Sequence, residues 1–229
     1  SSFKIIIPIE NSLAGRVADI HYLLPKYKLQ IHGEYFLPVV HNLLGKPDAT
    51  IDDIKYVRSH SQAISQCQKI ITKKNFQSII SVDTAGSAKD LAEGNDKTIA
   101  AIASDLSAKM YNLKILQRNI EDDEGNVTRF LIMGKNIEQP DYNKDKKYLT
   151  SCIFRVKSEP SALYKCLGGF ATNQVNLTKL ESRPARKGTD FKYVFYIDFE
   201  GHYLDNNFQI ILKRYEDNIK ILGSYVRLI

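Results

Sequence analysis

Three short segments place hydroxyls, amides and carboxylates where a strand hands over to a helix. The first is Pro8-Ile9-Glu10-Asn11-Ser12. Asn11 and Ser12 are both good helix caps, and backbone N–H groups at a helix start can hold a carboxylate or phosphate. Glu10, at the strand end, is placed to bind a ligand hydroxyl or to act as an acid. A plain capped turn would use the same residues. The second is Arg58-Ser59-His60-Ser61-Gln62-Ala63. His60 and Gln62 can point into the crevice beyond a strand end, where open α/β sheets bind ligands. Of His21, His32, His41, His60 and His202, only His60 falls at such a junction. A nucleophilic Ser–His pair is not supported, because adjacent residues rarely form one and no G-x-S-x-G elbow occurs. The third is Val82-Asp83-Thr84-Ala85-Gly86-Ser87-Ala88. Asp83 or Thr84 caps, and the small residues let a ligand approach the backbone. Together the three turns suit a polyanionic small molecule. GxGxxG and GxxxxGK[ST] are absent, so dinucleotide and nucleotide readings are weak.

Two later segments add chemistry. Asn126-Val127-Thr128-Arg129-Phe130 enters a strand with a hydroxyl and a guanidinium fork suited to a carboxylate. The same residues also read as a β-branched strand residue beside a surface arginine. Asn176-Leu177-Thr178-Lys179-Leu180-Glu181-Ser182-Arg183-Pro184 is a strand running into a turn, and Asn176 at its mouth can hold an amino-acid backbone. Ordinary turn chemistry accounts for it equally. No cluster of His, Cys and acids has metal-ligand spacing.

Elements must position these groups. Ile5-Ile6-Ile7 reads as a short buried strand with only four residues before it, so some of its neighbours are expected to be missing or to come from another subunit. Residues 12–24 read as a helix, 29–44 as extended with a break at Pro38, and 55–58 as a strand. Residues 61–73 form one helix with Ile64, Cys67, Ile70 and Ile71 on a face, and 78–82 a buried strand. Residues 84–93 form a helix that Gly94 caps. A strand at 98–103, a helix at 105–111 and strands at 114–119 and 127–133 follow. This alternation predicts an α/β domain with a mostly parallel sheet. Residues 134–147 turn polar and read as a linker or long loop. Beyond them come a strand (149–156), a helix (160–173, Pro160 in its first turn), strands (175–181 and 191–200), a helix (207–218) and a strand (220–228). That order is βαββαβ, the ferredoxin-like arrangement.

The chain has 229 residues and 43% hydrophobic content, enough for one large or two small domains. No run approaches the length of a membrane span. Cys67, Cys152 and Cys166 are odd in number and form no CxxC, which points to a reducing cytoplasm. The net charge of +6 comes from scattered lysines rather than a basic helix face, so nucleic-acid binding rests on charge alone.

Taken in order, PIENS (8–12), SHSQA (59–63), DTAGSA (83–88), NVTRF (126–130) and NLTKLESRP (176–184) resemble the motifs of prephenate dehydratase with a C-terminal ACT regulatory domain. The ending Leu222-Gly223-Ser224-Tyr225 is also similar. Five motifs in register, from about residue 5 onward, carry the resemblance. It implies a two-lobe catalytic domain, like that of periplasmic binding proteins, over residues 1–134. It implies a linker over 135–147 and an ACT domain over 148–229. It also implies conversion of prephenate to phenylpyruvate with loss of water and carbon dioxide, on the route to phenylalanine, without a cofactor and in the cytoplasm. Thr128 is then the essential hydroxyl. Glu10, Asn11, Ser12, Ser59, His60, Gln62, Thr84, Ala85 and Arg129 map to substrate-binding positions, Arg129 either on a carboxylate or holding the local fold. Ser161, Ala162, Leu163, Asn176, Leu177, Glu181, Ser182, Arg183 and Pro184 map to a phenylalanine site at an interface between ACT domains, so a homodimer or homotetramer is implied.

The chain departs from the family in three ways. Ser61 replaces the proline of SHPQA. Ser161-Ala162-Leu163 replaces GAL, so a serine side chain stands where glycine lets the ligand approach, and phenylalanine binding is expected to weaken or vanish. The family's N-terminal strand and GPxGTFS turn have no counterpart, so the catalytic domain is expected to be incomplete. The rival expectation is a non-catalytic remnant that binds an amino acid.

Overall fold

The computed structural model describes residues 3–13, 15, 16, 23, 24, 27–135, 141–185, 193–215 and 218–227. In chain order its strands are β1 (Phe3–Asn11), β2 (Gly15–Arg16), β3 (Gln30–Pro38), β4 (Asn42–Gly45), β5 (Tyr56–His60), β6 (Gln77–Ser81), β7 (Ile99–Ala103), β8 (Lys114–Gln117), β9 (Val127–Lys135), β10 (Tyr148–Arg155), β11 (Leu177–Pro184), β12 (Tyr193–Glu200) and β13 (Ile219–Val226). The helices are α1 (Ser61–Ser65), α2 (Gln68–Lys74), α3 (Thr84–Glu93), α4 (Asp105–Met110), α5 (Ala162–Thr172) and α6 (Asn206–Tyr215). The residues divide into two compact units. One gathers Ser1–Glu10, Ala14–Phe36 and Arg129–Ile229, the other Asn11–Leu13 and Leu37–Thr128.

The second of these holds a five-stranded sheet of order β6-β5-β7-β4-β8. β5 runs parallel to β6 and β7, whereas β4 runs antiparallel to β7 and β8. The sheet is therefore mixed, which corrects the expectation of a mostly parallel one. Helices connect β5 to β6, β6 to β7 and β7 to β8, so these four run the same way, and β4, which enters between β7 and β8 without such a crossover, runs against them. One face of the sheet packs Leu43, Val57, Ala100 and Ile102 against Ile64, Ile70 and Ile71. The other packs Leu44, Ala101 and Ala103 against Ala88, Leu91 and Ala108.

Three local expectations need correction here. The single helix over 61–73 is two helices broken at Gln66 and Cys67. The Asp122 carboxylate accepts hydrogen bonds from the backbone N–H of Gln68 (2.8 Å) and Lys69 (2.9 Å), so a residue far along the chain caps a new helix start. The strand over 78–82 is an edge strand rather than a buried one, with Ile80 73% and Val82 89% exposed. Gly15–Arg16 forms a short strand, not part of a helix over 12–24. Gly15 has φ +74, a left-handed turn that glycine adopts readily. The rest of that predicted helix falls largely on residues 14 and 17–22, outside those described.

The other unit contains two four-stranded sheets, β2-β1-β9-β3 and β11-β12-β10-β13. In the second, β10, α5, β11, β12, α6 and β13 follow one another as βαββαβ. The two helices cover one face, where Phe154, Phe170, Phe199, Phe208 and Ile211 pack. On the other face Leu149, Ile153, Tyr196, Leu222 and Tyr225 join Ile9, Ile31, Leu131 and Met133 of the first sheet. Covering on both faces explains why β10 is buried from Tyr148 to Phe154 without polar alternation. The two sheets come close at Gly223, where a Cβ would lie 2.1 Å from the Ile31 carbonyl oxygen, so no other residue fits unless the backbone moves. α5 begins at Ala162, not at Pro160. Cys67, Cys152 and Cys166 are free and buried. Among the described residues no helix is long and apolar enough to cross a membrane, and no group of three or more His, Cys, Asp or Glu could hold a metal ion.

Candidate functional site

The parallel pairing of β5 with β6 sets His60 opposite Ser81, so the junctions at 60–62 and 82–85 emerge at the same sheet edge. β7 ends at that edge too. β4, running the other way, begins there, with Asn42 opposite Ala103. Three helices start from this edge. The His60 Nδ1 accepts from the Gln62 N–H at 3.2 Å, the Asp83 carboxylate accepts from the Gly86 N–H, and the Ser104 Oγ accepts from the Ser107 N–H at 3.2 Å. Ser59 is buried and donates to the Ile102 carbonyl at 2.7 Å, so its hydroxyl ties β5 to β7. Gln62 and Ala85 are exposed, and Thr84 is half-buried at the first position of α3.

A chain of amides reaches the same edge. His41, just before β4, has its Nε2 2.8 Å from the Gln66 Oε1. The Asn126 Nδ2 donates to that oxygen at 3.3 Å. The Asn11 Nδ2 donates to the Asn126 Oδ1 at 2.7 Å and to the Thr128 hydroxyl oxygen at 3.1 Å. Ser12 closes the turn, donating to the Gly125 carbonyl at 3.1 Å and accepting from the Val127 N–H at 2.9 Å. Asn11 and Asn126 are buried, and Thr128 is half-buried.

This has a chemical consequence. The Thr128 oxygen accepts from an amide whose own orientation is fixed by Asn126. Its O–H is then left to donate, in a direction that Asn11 constrains. A preset donor of this kind stabilises charge developing on a departing oxygen without reorganising during the reaction. His41, Gln66 and Asn126 were missed as members of this network. His41 precedes a strand rather than a helix, and Gln66 sits at the helix break whose second helix Asp122 caps. Only Asn126, inside the NVTRF segment, carried a signal.

Of the two roles expected of Arg129, on a substrate carboxylate or holding the local fold, its contacts are those of the second. Its Nε donates to the Glu34 carboxylate (2.9 Å), its Nη1 to Asp198 (2.8 Å) and its Nη2 to the Tyr225 hydroxyl (2.9 Å). The side chain is 12% exposed. Burial works to lower its pKa, but Asp198 foremost, with Tyr225 and Glu34, outweighs burial and the net shift is upward. Burial, then Asp198, pushes the Tyr225 hydroxyl up as well. Ser151 completes the cluster, with its hydroxyl 2.6 Å from Asp198 and 3.1 Å from the Tyr225 oxygen. Each nitrogen of the fork has an internal acceptor, so Arg129 holds structure. Glu10, half-exposed, faces Lys179 at 3.4 Å and Arg129 at 3.7 Å.

The second predicted site divides along β11. Glu181, Ser182, Arg183 and Pro184 lie near the end where Arg183 stands opposite Val194 and Val194 opposite Arg155, the last residue of β10. Ser161, Ala162 and Leu163 follow from that end. The Arg183 Nη2 pairs with Glu181, while its Nε is buried without a partner among the described residues. Asn176 and Leu177 are at the other end, where the Asn176 Nδ2 donates to Glu200 at 2.9 Å. Seven residues of strand span about 23 Å. Ser161 has φ +65, the left-handed region, and its side chain makes no capping bond. Ser161→Gly should therefore stabilise the protein by about 0.5–1 kcal/mol, the relief of left-handed strain less glycine's greater freedom when unfolded. Urea unfolding reads this directly, and a midpoint that does not rise would mean the serine is unstrained.

The family model described as prephenate dehydratase matches residues 2–138. The chain belongs to the prephenate dehydratase family. It is 40% identical over 233 residues to the chloroplastic arogenate dehydratase/prephenate dehydratase 2 of Arabidopsis thaliana, covering 97% of this chain and 61% of that protein. It thus spans about three fifths of that relative's length. A solved structure of prephenate dehydratase from Arthrobacter aurescens in complex with L-Phe superposes with a TM-score of 0.85 at 30% identity, covering 98% of this chain and 75% of that one. A structure described as GqqA, a novel type of quorum quenching acylase, gives a TM-score of 0.88 at 39% identity, covering 97% and 81%. The prephenate dehydratase match takes in β1, the five-stranded sheet and all of β9.

Proposed function

We propose that this chain is a prephenate dehydratase, converting prephenate to phenylpyruvate under feedback from phenylalanine. The observation that carries this is the Thr128 hydroxyl, held by Asn11, at a sheet edge where three helices begin, in a chain of this family. Prephenate loses its ring carboxyl as carbon dioxide. The electron pair of the broken C–C bond enters the ring as the ring C–O bond breaks, and the departing hydroxide, hydrogen-bonded as its charge develops, takes a proton from solvent and leaves as water. Aromatisation drives the step, so the protein has to position the substrate and ease departure of one oxygen. Free threonine is a poor acid, so Thr128 donates a hydrogen bond toward the leaving oxygen rather than giving up its proton outright. Glu10, Asn11, Ser12, Ser59, His60, Gln62, Thr84 and Ala85 line or brace the substrate site in this proposal. Arg129 anchors the strand that bears Thr128.

The proposal keeps a two-lobe catalytic domain over residues 1–134, a linker over 135–147 and an ACT domain over 148–229. The βαββαβ order supports the last. The Phe-bound Arthrobacter aurescens structure supports phenylalanine as effector. A single phenylalanine cannot reach both Asn176 and Arg183 of one chain, so a second copy supplies one of them, which favours a homodimer or homotetramer. Three free buried thiols fit a cytoplasmic setting.

The test is phenylpyruvate formation from prephenate by the purified chain, kept from acid, with arogenate in parallel. Turnover of prephenate supports the reading, and preferential turnover of arogenate moves the substrate to its amino counterpart. A second reading, an acylase, is favoured by the likeness to GqqA. Hydrolysis of an N-acyl substrate with silence toward prephenate and arogenate would replace the first reading by this one.

A further inference from the structure

The charges between the two sheets of the β1-containing unit form a connected series. The Arg183 Nη2 pairs with one oxygen of Glu181. The other oxygen of Glu181 lies 3.8 Å from the Lys179 Nζ. That ammonium reaches the Glu10 carboxylate at 3.4 Å, and the same Glu10 oxygen stands 3.7 Å from the Arg129 Nη1. Glu10 precedes Asn11, whose amide orients Thr128, and Arg129 follows Thr128 directly. Lys179 is thus the one cation of this series that touches both the 181–184 segment and β1. It is largely buried, with 18% side-chain exposure, so these contacts are only partly screened by solvent.

We propose that Lys179 couples an effector at Arg183 to the Asn11–Thr128 pair by changing carboxylate partners. Arg183 has one guanidinium nitrogen bound to Glu181 and another, Nε, buried and without a partner among the described residues. A carboxylate arriving at that fork, such as that of an amino acid, competes with Glu181 for it, because a bidentate carboxylate pair is stronger than a single contact. The displaced Glu181 carboxylate turns to Lys179. Lys179 then shifts away from Glu10, and Glu10 closes on Arg129. The strand ends carrying Asn11 and Thr128 move with the residues beside them. Coupling of this kind is a difference in ion-pair partners between two states, and it is reciprocal between the two ligands. The inference rests on the reading that 181–184 takes an amino-acid effector, and it adds the residue that transmits the signal.

Lys179→Met keeps the length and apolar stem of the side chain and removes its charge. The experiment uses the full chain with phenylalanine as probe. Calorimetry measures binding, and amide hydrogen exchange at Thr128 and its neighbours measures transmission. Where the chain turns over prephenate, inhibition is read as well. In the unaltered chain phenylalanine should change exchange at Thr128 by about fivefold or more, a typical coupling. In Lys179→Met phenylalanine should bind within about twofold of the unaltered chain while leaving Thr128 exchange and any basal turnover unmoved, and Lys179→Arg should restore the response. A merely structural lysine would instead alter exchange across the unit with or without phenylalanine. Equal responses in Lys179→Met and the unaltered chain would overturn the relay while leaving the effector site standing. No phenylalanine binding by the unaltered chain would overturn the effector reading and the relay together.

Discussion

Thr128→Ala should reduce phenylpyruvate formation by about 10²- to 10³-fold, the usual cost of removing one preset donor to a developing oxyanion. The loss should fall on kcat, because the hydrogen bond strengthens only as the ring oxygen departs. Folding should hardly notice. The Asn11 Nδ2 keeps the Asn126 Oδ1 at 2.7 Å and the Val127 carbonyl at 3.4 Å when the threonine oxygen is gone. The half-buried methyl contributes little, so unfolding free energy should change by less than about 1 kcal/mol, as for a weakly packed site. Thr128→Ser retains the hydroxyl and should recover most of the rate. Unchanged turnover in Thr128→Ala would remove this residue from the mechanism. A rate loss that tracks a loss of folded protein would make it structural.

Arg129→Met should have the largest effect on stability. It leaves Glu34, 3% exposed, and Asp198, 7% exposed, as buried carboxylates without their counter-charge. Breaking a buried ion pair from one side costs about 3–5 kcal/mol, against a total stability of about 5–15 kcal/mol for a typical domain. For a chain of this size that lowers the melting temperature by roughly 10 °C. The loss has a signature that plain cavity formation lacks. Asp198→Asn added to Arg129→Met should recover part of the deficit, since it neutralises an orphaned charge, and the double-mutant cycle isolates that coupling. Arg129→Lys should fall between, with the charge kept and the three-way fork lost. A melting temperature unmoved by Arg129→Met would show that the fork does not hold this cluster together.

Much of the architecture was legible in the residues. The helix at Thr84–Glu93, with Asp83 before it and Gly94 after it, carries its own start and stop signals, and these are local. The βαββαβ order was readable for the same reason, from periodicity and turns. What stayed hidden was set by partners distant in sequence. Nothing near Gln66 announces that Asp122 will cap a second helix there. Nothing in Ile79-Ile80-Ser81-Val82 shows that its strand lies at an edge with one face open, since apolar character alone implies two covered faces. The sheet edge that gathers His60, Thr84 and Asn42 follows from strand order, which periodicity does not contain. Arg129 is the sharpest case. Beside Thr128 it reads equally as a carboxylate clamp or an anchor of the local fold, and only Asp198 and Tyr225, about seventy and one hundred positions onward, show what the fork holds. Gly223 belongs with it, because its need for a bare backbone comes from Ile31.

The division of the chain also dictates when each part can be finished during synthesis. The unit built on the five-stranded sheet draws almost all its residues from one unbroken stretch, Leu37–Thr128. All five of its strands lie within that stretch, so that sheet can close while the ribosome is still adding β10. The other unit has no such freedom. β1 has β9 as its neighbour, more than a hundred residues away, and Ile31 meets Gly223 only after nearly the whole chain has emerged. Until then Ile9, Ile31, Leu131 and Met133 have no cover from the last sheet. The nascent chain therefore carries a finished middle flanked by an open apolar surface, and that surface is where chaperone holding or aggregation would begin.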